Sequence, residues 1–206
     1  MITESNVKRI LLKDLNFDAP KIKKLDNFVK KLLIYNKKHN LISKNTEKLI
    51  WDRHILDSAQ LIKFIDVKNC LGIADLGTGG GFPGIVLAIY FENFNFHVKL
   101  YEKSPVKSRF LSNVSKILGL NCKIICNDVN SLKIDSNHIV CRAFKKLPHI
   151  LNISRENCVK KHKLIIMKGR NAQKELNKTS QIRNYEYRLE NSITDNNSKI
   201  IIMNAE

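Results

Sequence analysis

Apolar positions along the chain change their period near residue 70. Up to about Ile65 they recur at helical spacing: Leu25, Phe28, Val29, Leu32 and Leu33 fall on one face, with lysines filling the other. The stretch NTEKLIWDRHILDSAQLIKF predicts a second helix, capped by Asn45 or Thr46, with Leu49, Ile50, His54, Asp57, Ser58 and Leu61 on neighbouring turns. From Leu71 onward, short β-rich runs (LGIADL, FHVKLYE, CKIICND, HIVCRAF, KLIIMKG) alternate with helix-like segments (FPGIVLAIYFE, PVKSRFLSNVSKILG, LPHILNIS). Strands separated by helices predict right-handed crossovers and a parallel α/β sheet. Two more strands, near YEYRLEN and SKIIIMN, have only an Asn/Asp/Ser turn between them and are expected to close one edge as an antiparallel pair, making seven. The division expected is a helical extension over residues 1–65 packed on an α/β unit over 66–206, with no repeat, linker or low-complexity tract.

Composition narrows the class. With 206 residues, 43% of them hydrophobic, the chain can bury an ordinary core. No stretch approaches the roughly 20 apolar residues of a membrane span, and MITESNVKRILLKDL lacks the apolar core of a secretory signal, so a cytoplasmic protein is expected. Five cysteines, Cys70, Cys122, Cys126, Cys141 and Cys158, contain no C-x-x-C; they read as reduced and mostly buried, with no metal site. The formal net charge of +17 favours a polyanionic partner such as nucleic acid. A chain this rich in Lys, Ile and Asn also carries the stamp of an A+T-rich genome, which accounts for part of that excess.

Five of the eight glycines lie between Gly77 and Gly84, in IADLGTGGGFPGIVLA, where the first strand gives way to a helix. In an open parallel sheet that is where ligands bind, and glycine lets a ligand approach the backbone closely. Two registers compete. Gly79-x-Gly81-x-x-Gly84 matches the dinucleotide fingerprint, which would make the chain a nicotinamide-dependent oxidoreductase, but Pro83 interrupts it. Asp75-x-Gly77-x-Gly79-x-Gly81 resembles the loop of S-adenosylmethionine (SAM) methyltransferases. An acid at Asp75 suits a ligand carrying an ammonium group and would repel pyrophosphate. Glu102, at the tip of the second strand, is placed to accept both ribose hydroxyls in either reading. After the third strand, Asp128, Val129 and Asn130 occupy an adenine-cradling position or an ordinary Asx-rich turn.

NLISKNTEKLIWDRHILDS, DLGTGGGFPGIVLA, SPVKSRFLSNV, CRAF and MKG, in that order, resemble the bacterial ribosomal RNA small subunit methyltransferase G family, also called glucose-inhibited division protein B. The resemblance implies a Rossmann-like seven-stranded SAM-dependent methyltransferase sheet. The implied reaction is methylation of a guanine N7 in 16S rRNA, with that RNA or the small ribosomal subunit particle as the partner; the chain itself is expected to be a monomer. It further implies that Gly77 and Phe82 line the SAM pocket, that Val129 and Asn130 contact adenine, and that Arg142 faces the site. The chain departs from the family's usual pattern at Asn130, where Glu is common, and at Ser108, where a second basic residue follows Lys107. Guanine N7 chemistry agrees with what the sequence lacks: there is no Pro-Pro motif of the kind used for exocyclic amines, and no cysteine follows a proline. No covalent catalyst is nominated. His54, Asp57 and Ser58 would orient guanine or pack the helix against the glycine loop, and Arg142 ends an apolar strand where it needs a carboxylate or a ligand. An RNA-binding protein with an inactive pocket is the remaining alternative.

Overall fold

The computed structural model describes residues 2–205. The chain opens with α1 (Glu4–Asp14) and α2 (Ala19–Asn36), each begun by a side-chain cap: Thr3 accepts the Asn6 N–H and Asp18 accepts the Lys21 N–H. Pro20 sits in the first turn of α2, where its missing N–H costs nothing. Then follow α3 (Lys44–Glu47), a π-helical turn (Trp51–Leu56), α4 (Asp57–Ala59) and a 3-10 stretch (Gln60–Phe64). The α/β part runs β1 (Ile73–Leu76), α5 (Gly84–Tyr90), β2 (Val98–Tyr101), α6 (Pro105–Leu118), β3 (Cys122–Ile125), β4 (His138–Arg142), α7 (Leu147–Asn157), β5 (His162–Lys168), α8 (Ala172–Lys178), β6 (Tyr187–Asn191) and β7 (Lys199–Ala205).

The strands form one seven-stranded sheet of order β3-β2-β1-β4-β5-β7-β6. β1 to β5 pair in parallel, while β7 runs antiparallel to both β5 and β6, giving the expected edge pair. The inner strands alternate between two cores. Ile73, Val140, Ile165 and Ile200 face a layer built from α1, α2, α5 and α6, and Ala74, Ile139, Cys141, Leu164 and Ile201 face α7 and α8. Such burial on both faces is what makes these runs near-continuously apolar. The helical extension shares the first core: Leu25, Phe28 and Leu32 are 0% exposed among Ile85, Phe110 and Leu111, each worth roughly 1.5–3 kcal/mol of burial.

Three local expectations need correction. The second helix does not start at Asn45 or Thr46; Ser43 is the N-cap of a four-residue α3, and the chain re-enters helix as the wide π-turn. Although a π-turn displaces side chains from the 3.6-residue face, His54 and Asp57 still meet at Arg142, and only Ser58 leaves the expected face, fully buried. Of the cysteines, all free, only Cys141 is buried, and Cys126 is exposed. Among the described residues no helix is long and apolar enough to cross a membrane.

Candidate functional site

The strand order reverses between β1 and β4, and a cavity of about 360 Å³ opens there at the carboxyl ends of the strands. The chain after β1, β2, β3 and β4 delivers pieces of its wall. After β1 the chain turns through Gly77 (φ +69°), Gly79 (φ +59°) and Gly81 (φ +101°). At Gly77 a Cβ would lie 2.2 Å from the Phe144 ring, so glycine is required both by conformation and by that ring. Phe144 is brought there by Ala143, which turns through a left-handed φ of 49° directly after β4 and is a strained backbone for a residue with a Cβ. At Gly79 a Cβ would meet nothing closer than 3.9 Å; this backbone lies open to the cavity.

Glu102 follows β2 and is 8% exposed. One of its oxygens accepts the Gly79 N–H at 3.0 Å and the other the Ser104 N–H at 2.8 Å, so the acid first shapes the glycine turn and still has lone pairs for ligand hydroxyls. After β3, Asn127, Asp128 and Val129 line the wall. Asn130 does not: its side chain is exposed and donates to Asp128 Oδ1, which also accepts the Asn130 N–H. The wall position expected for Asn130 thus belongs to Asp128, whose carboxyl the Asn130 backbone N–H holds below its ordinary value. Leu41 and Ile42 close the side next to α2, held by buried Asn36, which accepts both their N–H groups and donates to the Ile42 carbonyl. Sequence periodicity gave no sign of these two.

Asp75 also departs from expectation. It lies beneath the loop, 0% exposed, and is not part of the cavity wall; Oδ2 accepts the Gly84 N–H at 2.7 Å and ties β1 to the start of α5. A Cβ on Gly84 would sit 2.6 Å from that oxygen, so the third glycine of the dinucleotide register serves packing. Asp75 Oδ1 and Thr78 Oγ1 are buried without a hydrogen-bond partner of normal geometry. Burial pushes the Asp75 carboxyl up to about 7, against the pull of Thr78 and the Gly84 N–H.

Arg142, at the tip of β4, reaches into the π-turn. Its guanidinium donates to the Arg53 carbonyl at 2.8 Å and to His54 Nδ1 at 2.5 Å, stands 3.4 Å from Asp57 Oδ2, and lies 5.3 Å from the centre of the Phe82 ring. The buried arginine therefore has a carboxylate partner, though a distant one. Burial first, and the Arg142 charge second, press His54 down to about 3. A neutral His54 accepts at Nδ1 and so carries its proton on Nε2, which donates to Thr46 Oγ1 at 2.9 Å. Asp57 is held by Gln60, Ser192 and Thr194 at Oδ1. Ser58 is 0% exposed, away from the cavity. His54, Arg142 and Ala143 also face a second cavity of about 560 Å³, so they form a wall between two chambers.

A glycine turn after β1, an acid after β2 and a polar turn after β3, on a sheet of this order, define a Rossmann-like methyltransferase fold. The chain is similar in structure to TYW2 of M. jannaschii, crystallised in complex with AdoMet, with a TM-score of 0.54, 18% identity and 77% of each chain covered. In sequence, the family model described as rRNA small subunit methyltransferase G matches residues 21–200. The protein of that name from Pelagibacter ubique is 39% identical over 196 residues, covering 93% of this chain and 92% of its own. Its namesake from Rickettsia felis is 38% identical over 180 residues, covering 87% and 91%. The chain belongs to the rRNA small subunit methyltransferase G family.

Proposed function

We propose that this chain methylates N7 of a guanine in 16S rRNA, using S-adenosylmethionine and working as a cytoplasmic monomer. The observation that carries the reading is the cavity at the strand-order switch, whose glycine backbone, buried acid and polar turn suit a nucleoside, set beside a second chamber across the Arg142–His54 wall. The open backbone at Gly79, facing the cavity, leaves room for SAM to lie close against the turn. Gly77, Gly79 and Phe82 would hold its methionyl portion, Glu102 its ribose hydroxyls and Val129 its adenine, with Asp128 beside it. When bound, the cofactor supplies a methyl group made electrophilic by a sulfonium.

Guanine N7 presents its own lone pair, so no residue has to remove a proton. The chain's part is placement, and a misplacement of about 1 Å can cost on the order of 100-fold in rate. Arg142, fixed by the Arg53 carbonyl and by His54, and backed by Phe82, is the positioning group between the chambers. Lys103, Lys107 and Lys145 at the cavity rim, with exposed Lys30 and Lys31 on α2 and Lys37 and Lys38 just past its end, supply attraction to RNA phosphates. Incubation with methyl-labelled SAM and either naked 16S rRNA or small subunits, followed by digestion to nucleosides, should yield labelled 7-methylguanosine. No transfer to either substrate, or label on another nucleoside, would overturn the reading. Sedimentation of the purified chain checks the monomer.

A further inference from the structure

The second chamber lies beside the first, sharing Arg142, His54 and Ala143 with it. It is floored by Met167 and Lys168 at the end of β5 and by Lys199 and Ile200 at the start of β7, and α8 brings Glu175 to it. Only two carboxylates, Asp57 and Glu175, line it among the described residues. Asp57 is spent: three side chains donate to its Oδ1, and its Oδ2 faces Arg142. Glu175 is half spent. Its Oε2 accepts the Leu147 N–H at 2.9 Å and the Lys168 ammonium at 2.8 Å, whereas its Oε1 has no protein donor among the described residues.

One carboxylate oxygen is therefore fixed by two bonds; the other, on a residue that lines the chamber, is the one left to be presented to a ligand. Burial alone would favour the protonated acid, but Lys168 and the Leu147 N–H outweigh it and hold the carboxyl below its ordinary value. The presented oxygen is an acceptor only. Adenine, cytosine and uracil offer at most one donor group to it on their Watson–Crick edge, while guanine offers N1–H and the N2 amino group side by side. Guanine N7 lies on the opposite side of the purine from that edge. Arg142 pairs with Met167 across β4 and β5, and the next residue, Lys168, holds Glu175. On a base lodged between these two lining residues, N7 turned toward Arg142 would leave the N1/N2 edge turned toward Glu175.

We propose that Glu175 reads the guanine: a guanosine drawn out of the RNA enters the second chamber, and Glu175 Oε1 accepts its N1–H and N2 amino hydrogens while N7 faces the first cavity. This rests on the guanine N7 reading above and adds the residue that selects the base. Flipped bases are commonly read by hydrogen bonds to this edge, in a pocket.

Glu175→Gln tests it. The glutamine carbonyl can keep the Leu147 bond that anchors α7, while its amide presents a donor where the acceptor stood. Methylation is measured on 16S rRNA carrying guanosine, or inosine, which lacks only the N2 amino group, at the methylated position. The parent should prefer guanosine by about 10- to 100-fold in kcat/KM. The variant should lose about that factor on guanosine, show no preference between the two, and bind S-adenosylhomocysteine and melt as the parent does. A parent that treats inosine as guanosine, or a variant that keeps the parent's preference, would overturn the role of Glu175. A parent that binds S-adenosylhomocysteine yet labels no guanine would instead defeat the underlying reading.

Discussion

Asp75→Asn isolates a buried charge that the fold tolerates beneath its binding loop. The asparagine carbonyl can still accept the Gly84 N–H, so the tie between β1 and α5 survives while the ionisable group disappears. In the parent, the folded-state value of about 7 stands above the ordinary 3.8 because burial disfavours the anion. A raised acid favours folding fully below the ordinary value and loses that contribution as pH climbs through the folded one. The interval from 3.8 to about 7, at about 1.4 kcal/mol per pH unit, amounts to about 4 kcal/mol in all. Between pH 5 and pH 8 the stability of the variant relative to the parent should therefore rise by roughly 2 to 3 kcal/mol. His54, pressed down to about 3, works in the opposite sense, destabilising the fold as pH falls below its ordinary range, but it is present in both proteins and cancels in the difference. Urea unfolding across that pH range gives the comparison. A difference that stays flat with pH would mean that Asp75 ionises as an exposed acid does, and the burial argument would fail. Calorimetric titration with S-adenosylhomocysteine completes the test: affinity within about threefold of the parent is expected from a residue under the loop, and a loss of 30-fold or more, on the order of 2 kcal/mol, would put Asp75 against the ligand.

Gly77→Ala should drive a methyl group into the Phe144 ring and force a left-handed backbone on alanine; the same titration should show at least a tenfold loss of S-adenosylhomocysteine affinity, and an unchanged value would remove this turn from the site. Arg142→Lys keeps the charge but loses the planar fork that bonds the Arg53 carbonyl and His54 together. Single-turnover methylation should fall on the order of 100-fold with little change in melting temperature, whereas equal rates and a lowered melting temperature would make Arg142 structural only. Binding to 16S rRNA should weaken steeply as salt rises, and replacing Lys30, Lys31, Lys37 and Lys38 with glutamate should reduce both affinity and salt slope; no change in either would assign the charge excess to genomic bias.

The strands were legible because two-sided burial leaves a plain apolar run, and the switch-point turn because few segments need so many glycines. Asp75 misled because its spacing is that of a loop acid, while its burial depends on α5 folding back over it, which no local pattern states. Asn130 and Asp128 stand two residues apart in one Asx turn, and only the direction of the turn decides which meets the cavity. His54, Asp57 and Ser58 were grouped by a 3.6-residue period; past the π-turn His54 and Asp57 still converge on Arg142, while Ser58 is buried elsewhere. Glu175 left no mark at all: its partners are the N–H of Leu147 and the ammonium of Lys168, brought together by the packing of α8 on the sheet.

The Phe28 ring of α2 lies 5.2 Å from that of Phe82 in the glycine turn and 6.5 Å from that of Phe110 in α6. During synthesis α2 is made before these partners, and its apolar stripe is not fully covered until the chain has grown past Phe82 and then α6. For that span the nascent protein carries an incompletely covered hydrophobic helix, a hazard typical of contacts distant in sequence. The lysines along its other face then serve the unfinished chain as well as the finished one, keeping the waiting helix in solution. Phe82, which lines the pocket, thus rests on a ring from the far side of the sequence.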